Sequence, residues 1–251
     1  MSKLTKDIHK KYSLSLGPEQ IASPKALRII EHFTKKFIRE IEISTRNNHL
    51  SSTSLGLRQD GKPSVEGGAF VEIGSGIGTI TDLISTKIRD SESKIPLICY
   101  EINDFCINQL KRNVDFNFIL IKRVQEISSC NLEKRKTLLI IDDYISDSDT
   151  QYLLGQLNLR YVIIEGHRFR QRIAVAKSLL HKSISIRFFG NSMDSVKGAC
   201  VITVGSESRN VLTYLGYWRL ILQSSLLVRK LFQAVGIRKK KFLNFCIDKN
   251  L

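Results

Sequence analysis

Phe70-Val71-Glu72-Ile73-Gly74-Ser75-Gly76-Ile77-Gly78-Thr79 runs from an apolar, β-branched segment through three glycines into a segment of helical character. A turn of this composition needs glycine because side chains would hold a ligand away from the backbone. The helix start beyond it supplies N–H groups with no partner in the helix. The spacing is Gly-x-Gly-x-Gly, so Thr79 stands where a dinucleotide fingerprint wants its last glycine, which argues against NAD.

Twenty-seven residues beyond Gly74, Tyr100-Glu101-Ile102-Asn103 closes a second apolar run with a carboxylate. Placed beside the glycine turn, that carboxylate is suited to accept hydrogen bonds from a ribose diol. From here the pattern repeats. Short apolar runs at 69–73, 96–101, 116–121, 137–142, 160–165, 183–189 and 199–204 predict strands, and 79–89, 103–113, 147–157 and 169–181 predict helices. Strands alternating with helices specify an α/β fold: a mostly parallel sheet covered on both faces, whose last two strands, lacking a helix between them, form an antiparallel hairpin.

VEIGSGIG and YEIN resemble the first and second motifs of class I S-adenosylmethionine-dependent methyltransferases, and residues 69–205 resemble that family's seven-stranded order with its closing hairpin strand. The resemblance implies a Rossmann-like sheet and S-adenosyl-L-methionine as cofactor. Gly74, Ser75, Gly76 and Gly78 would then pass beneath its methionine portion, with Glu72 as the acid preceding the loop, and Glu101, followed by Ile102, would hold the ribose hydroxyls. After the third strand Arg123 stands where the family presents an acid to adenine, so Gln125, Glu126 or backbone takes that role. Asp142 completes the cofactor set.

The acceptor side belongs to the ends of the fourth and fifth strands, where open α/β sheets bind ligands. Asp142, Asp143 and Tyr144 follow one; Glu165, Gly166, His167 and Arg168 follow the other. His167 is a candidate general base near neutral pH, and Asp142 and Glu165 complete the candidate catalytic set. No metal is assigned, although Asp142, Asp143 and Glu165 are the carboxylates a divalent cation would take. Arg168, Arg170 and Arg172 suit an acidic or phosphorylated acceptor, or else form a solvated helix face. No Asn-Pro-Pro-Tyr-like run follows the fourth strand, which disfavours methylation of nucleic-acid bases. The expected activity is methyl transfer to an oxygen, or less readily a nitrogen, of a small-molecule, glycan or lipid-linked acceptor. RNA methylation and a non-catalytic binding module are the alternatives.

Around this centre, residues 24–43 predict a helix capped by Ser23 and opened by Pro24, whereas the polar stretch 44–68 reads as a weakly ordered loop and a candidate substrate cap. Three regions follow: 1–68, the cofactor-binding domain 69–205, and a basic amphipathic extension 206–251. In the extension, Tyr214, Tyr217, Trp218 and the run Arg238 to Lys241 suit an RNA, a protein or the anionic inner face of a membrane. With 39 Lys and Arg against 24 Asp and Glu, the chain carries +15, which favours polyanionic partners. No apolar run reaches the 18 residues of a spanning helix, no signal segment is evident, and five scattered cysteines suggest no disulfide framework. A cytoplasmic protein, peripheral to the membrane or free of it, is expected.

Overall fold

Side chains of the central strands are buried almost throughout and alternate between two apolar layers. In β1 (Gly68–Ile73), Phe70 enters one apolar layer while Val71 and Ile73 enter the other. β2 (Leu97–Tyr100), β3 (Ile119–Ile121), β4 (Lys136–Ile141) and β5 (Asn158–Glu165) run parallel to β1. β6 (Ile184–Phe189) and β7 (Ala199–Val204) form the expected hairpin, with β7 antiparallel to both β5 and β6. The order is β3-β2-β1-β4-β5-β7-β6. The computed structural model describes residues 2–18, 21–54, 67–166, 168–189, 198–205 and 217–218. The expectations for His167, for 55–66 of the polar stretch and for nearly all of the extension 206–251 therefore lie outside the described residues.

One face of the sheet is covered by α1 (Lys3–Ser13), α2 (Pro24–Ser54), α3 (Thr79–Asp90) and α4 (Asp104–Asn113). The other carries a 3-10 helix (Val124–Cys130), α5 (Asp147–Gln156) and α6 (Phe169–Leu179). α2 lays Ile29, Ile30, Phe33, Phe37, Ile38 and Ile41 into the first layer, and Phe37 meets Phe70 edge-on with ring centroids 5.2 Å apart. Truncating a buried ring of this kind typically removes about 3–5 kcal/mol. At the head of α2, Ser23 Oγ accepts the Ala26 N–H, the cap expected from sequence.

Two expectations are corrected. Residues 44–54 continue α2 instead of beginning a loop: they are weak helix formers, but neither glycine nor proline interrupts them before Gly56. α1 was not foreseen. Its own apolar content is small, and it is held by Ile8 and the fully buried Tyr12 against α2 and α3.

Candidate functional site

The carboxyl ends of β1, β2 and β4 are knitted together by backbone. Gly74 and Ser75 donate to the Tyr100 carbonyl, and Asp142 N–H donates to the Ile73 carbonyl. Gly74, Gly76 and Gly78 all have left-handed φ, at 79°, 53° and 102°. At Gly74 a Cβ would also lie 2.3 Å from Asp143 Cβ, so only glycine lets the β1 turn close onto the end of β4. At Gly78 a Cβ would meet Val114 and Leu110, so there too glycine lets the turn pack against its neighbours.

Glu101 stands directly beside this turn. Its Oε2 accepts the Gly76 N–H at 2.8 Å, and its Oε1 accepts the N–H groups of Ile102 and Asn103, both at 2.9 Å. Asn103 in turn caps α4 through the N–H groups of Phe105 and Cys106. A carboxylate offers about four acceptor directions, so with three donors in place Oε2 retains one. Ile102 next to it is exposed.

Glu72 lies beneath the turn, fully buried on the α3 side. Its Oε2 accepts the Thr81 hydroxyl at 2.7 Å and lies near the Cys99 thiol. Burial pushes its carboxyl up to about 8, so at neutral pH it keeps a proton, and Cys99 is raised by the same burial and by Glu72. Ser75 is buried as well. From the same side Lys11 Nζ reaches Asp82 at 2.6 Å and the Asn113 carbonyl at 2.8 Å, Tyr12 donates to Asp82, and Asn113 Nδ2 donates to the Ile77 carbonyl. The unforeseen α1 thus braces the glycine turn from behind.

At the ends of β4 and β5 a second cluster forms around Arg168. Its guanidinium reaches Asp142 Oδ1 at 3.2 Å, Glu165 Oε2 at 3.1 Å and the Glu165 carbonyl at 2.9 Å, and it also donates to the Asp142 carbonyl. Burial and the neighbouring Glu165 hold the Asp142 carboxyl well above the usual carboxylate range, against the opposing pull of Arg168. Arg172 is buried rather than solvated and donates to the Gly166 carbonyl, which leaves Arg170 as the exposed member of the three arginines. Asp142 and Glu165 do meet, both side by side and through the guanidinium they share. Asp143 is exposed and accepts the Tyr144 N–H. Among the described residues no group of three or more His, Cys, Asp or Glu side chains is placed to hold a metal ion.

The remaining adenine-side candidate, Gln125, is exposed at the start of the 3-10 helix and donates to Asp149 Oδ1 at 2.9 Å. Arg123 pairs with Glu126 at 2.9 Å, so the departure from the expected acid is neutralised locally. Sequence reasoning missed Thr81, Tyr12, Lys11 and the bridging role of Arg168. Only Arg168, adjacent to a strand-end acid, carried a signal.

No protein-family model matches the chain, and no curated protein matches it. Solved structures do. The SAH-bound Podospora anserina methyltransferase PaMTH1 is 12% identical over 82% of this chain and 89% of its own, with a TM-score of 0.48. A human methyltransferase 10 domain containing protein is 12% identical over 80% and 93%, with a TM-score of 0.46. The 23S rRNA methyltransferase ErmE is 12% identical over 71% and 75%, with a TM-score of 0.39. The seven-stranded sheet, mostly parallel with β7 inserted antiparallel between β5 and β6, is a Rossmann-like α/β arrangement with the strand order and closing hairpin expected from sequence.

Proposed function

We propose that this protein transfers a methyl group from S-adenosylmethionine to an oxygen of a small-molecule or lipid-linked acceptor. The observation that carries this reading is the left-handed glycine turn held at 2.8 Å by a strand-end carboxylate. The residues fit an adenosyl sulfonium. Gly76, left-handed and without a side chain, lets a ligand approach the backbone beside Glu101, Glu101 retains an acceptor direction for a ribose hydroxyl, and the buried Thr79 hydroxyl at the head of α3 has no partner among the described residues.

When bound, the cofactor supplies an electrophilic methyl group. The chain's own residues align and exclude: the backbone-locked ends of β1, β2 and β4 form a rigid floor, which is how positioning lowers the barrier to a displacement. An oxygen acceptor must also lose a proton, and the Asp142–Glu165 pair at the neighbouring strand ends is the group suited to accept it, with Arg168 fixing its geometry. Calorimetric titration with S-adenosylmethionine and with S-adenosylhomocysteine tests the reading: saturable one-to-one heat with both is expected, and heat with neither removes it.

A further inference from the structure

Several large apolar side chains are exposed on the segments around the glycine turn. Leu14 and Leu16, 81% and 68% exposed, follow the end of α1, and Ile102, Phe105 and Tyr144 are exposed as well. Their neighbours place these segments beside the turn. Gly17 lies so near Phe105 that a Cβ would stand 2.8 Å from its ring; Ile102 follows Glu101, which holds Gly76; and Tyr144 follows Asp143, which abuts Gly74. The segments that carry these side chains therefore flank the glycine turn, from the end of α1 to the end of β4.

Charge lies alongside. Lys3, Lys6 and Lys10 recur at i, i+3 and i+7 on the exposed side of α1, Leu14 continues that stripe, and Asp7 is the helix's single acid. Lysine stems that lead a cationic stripe into two protruding leucines match the boundary between phosphate headgroups and acyl chains. RNA offers phosphates for the lysines but no apolar medium for Leu14 and Leu16.

We propose that this rim, led by Leu14 and Leu16 with the α1 lysines behind them, docks on an anionic lipid surface and opens the crevice toward an acceptor anchored in that surface. The acceptor part rests on the methyltransferase reading; the docking does not. Burying both leucines in the interface while the lysines reach lipid phosphate gives attachment that depends on anionic lipid and weakens with salt.

The test is flotation of the full chain with phosphatidylcholine vesicles, with or without phosphatidylglycerol. Flotation with the anionic vesicles only, weakened by salt, is expected. The Leu14→Asp/Leu16→Asp variant should partition about tenfold less, as should Lys3→Glu/Lys6→Glu/Lys10→Glu, while Ile43→Asp, at an exposed apolar residue of α2, should float as the wild type does. Calorimetry with S-adenosylmethionine on the leucine variant reports whether the crevice is intact. Wild-type binding unaffected by the leucine variant, no binding to either vesicle, or salt-sensitive binding to a single-stranded RNA without flotation would each overturn the proposal. Rim-dependent flotation without heat from either cofactor form would instead sink the methyltransferase reading and leave the docking standing.

Discussion

Two sets of acids lie at the carboxyl edge of the sheet, and the fold holds them by opposite means. Glu101 is fixed by three backbone N–H groups from the turns around it. Asp142 and Glu165 are held by one side chain, the Arg168 guanidinium. Backbone donors come with the fold and cannot be mutated away, whereas a guanidinium can be removed by one substitution. The end proposed for the cofactor is thus built into the chain path, and the end proposed for the acceptor depends on a residue identity.

The largest effect is expected where the backbone itself is strained. Gly74→Ala puts a side chain at a left-handed φ and against Asp143, and should lower unfolding free energy by roughly 3–5 kcal/mol, read from urea denaturation. Loss near zero would mean that the turn yields more readily than the bonds to Tyr100 suggest. Glu101→Ala should weaken S-adenosylmethionine binding by about 2 kcal/mol, close to thirtyfold, while Glu101→Gln, which keeps one carbonyl acceptor, should lose less. Calorimetry separates the two variants, and equal affinities for wild type and alanine variant would move the ribose elsewhere.

Arg168→Ala should cost about 1–2 kcal/mol at neutral pH by leaving two facing carboxyls without their cation. Because Arg168 pulls the Asp142 carboxyl down, its removal raises the folded-state value further, so the deficit should shrink as the acids protonate at low pH. A pH-independent deficit would show that Arg168 acts by packing alone. The last effect is a pH dependence, at Glu72. Its folded value of about 8 lies above the ordinary 4.5, so the folded state holds the extra proton between them. The resulting stability is full below the ordinary value and lost as pH rises through about 8. Thermal melts of Glu72→Gln against wild type should diverge over that window and run parallel above it.

This contrast also marks what was legible in the sequence. Runs such as 69–73 and 199–204 read as strands because burial on both faces demands near-continuous apolar residues, and Glu101 was visible because it ends such a run. α1 was not legible because its anchors, Tyr12 and Lys11, reach Asp82 some seventy positions away. The far end of α2 was hidden by composition: Ser, Thr and Asn suit turns as well as a helix continued from a packed segment. The Arg168 bridge was hidden for a third reason. Only the pairing of β4 with β5 brings Asp142 within reach of a guanidinium that follows Glu165.

The central claim is that the β1–α3 turn and Glu101 together receive an adenosyl sulfonium. Titrating isotopically labelled protein with S-adenosylhomocysteine and following backbone amide signals tests it directly. The amides of Gly74, Gly76, Gly78 and Ile102 should shift together and saturate with one ligand, while Gly155, near the far end of α5, stays in place. Stationary glycine-turn signals at saturating ligand, or shifts confined to another part of the sheet, would contradict it.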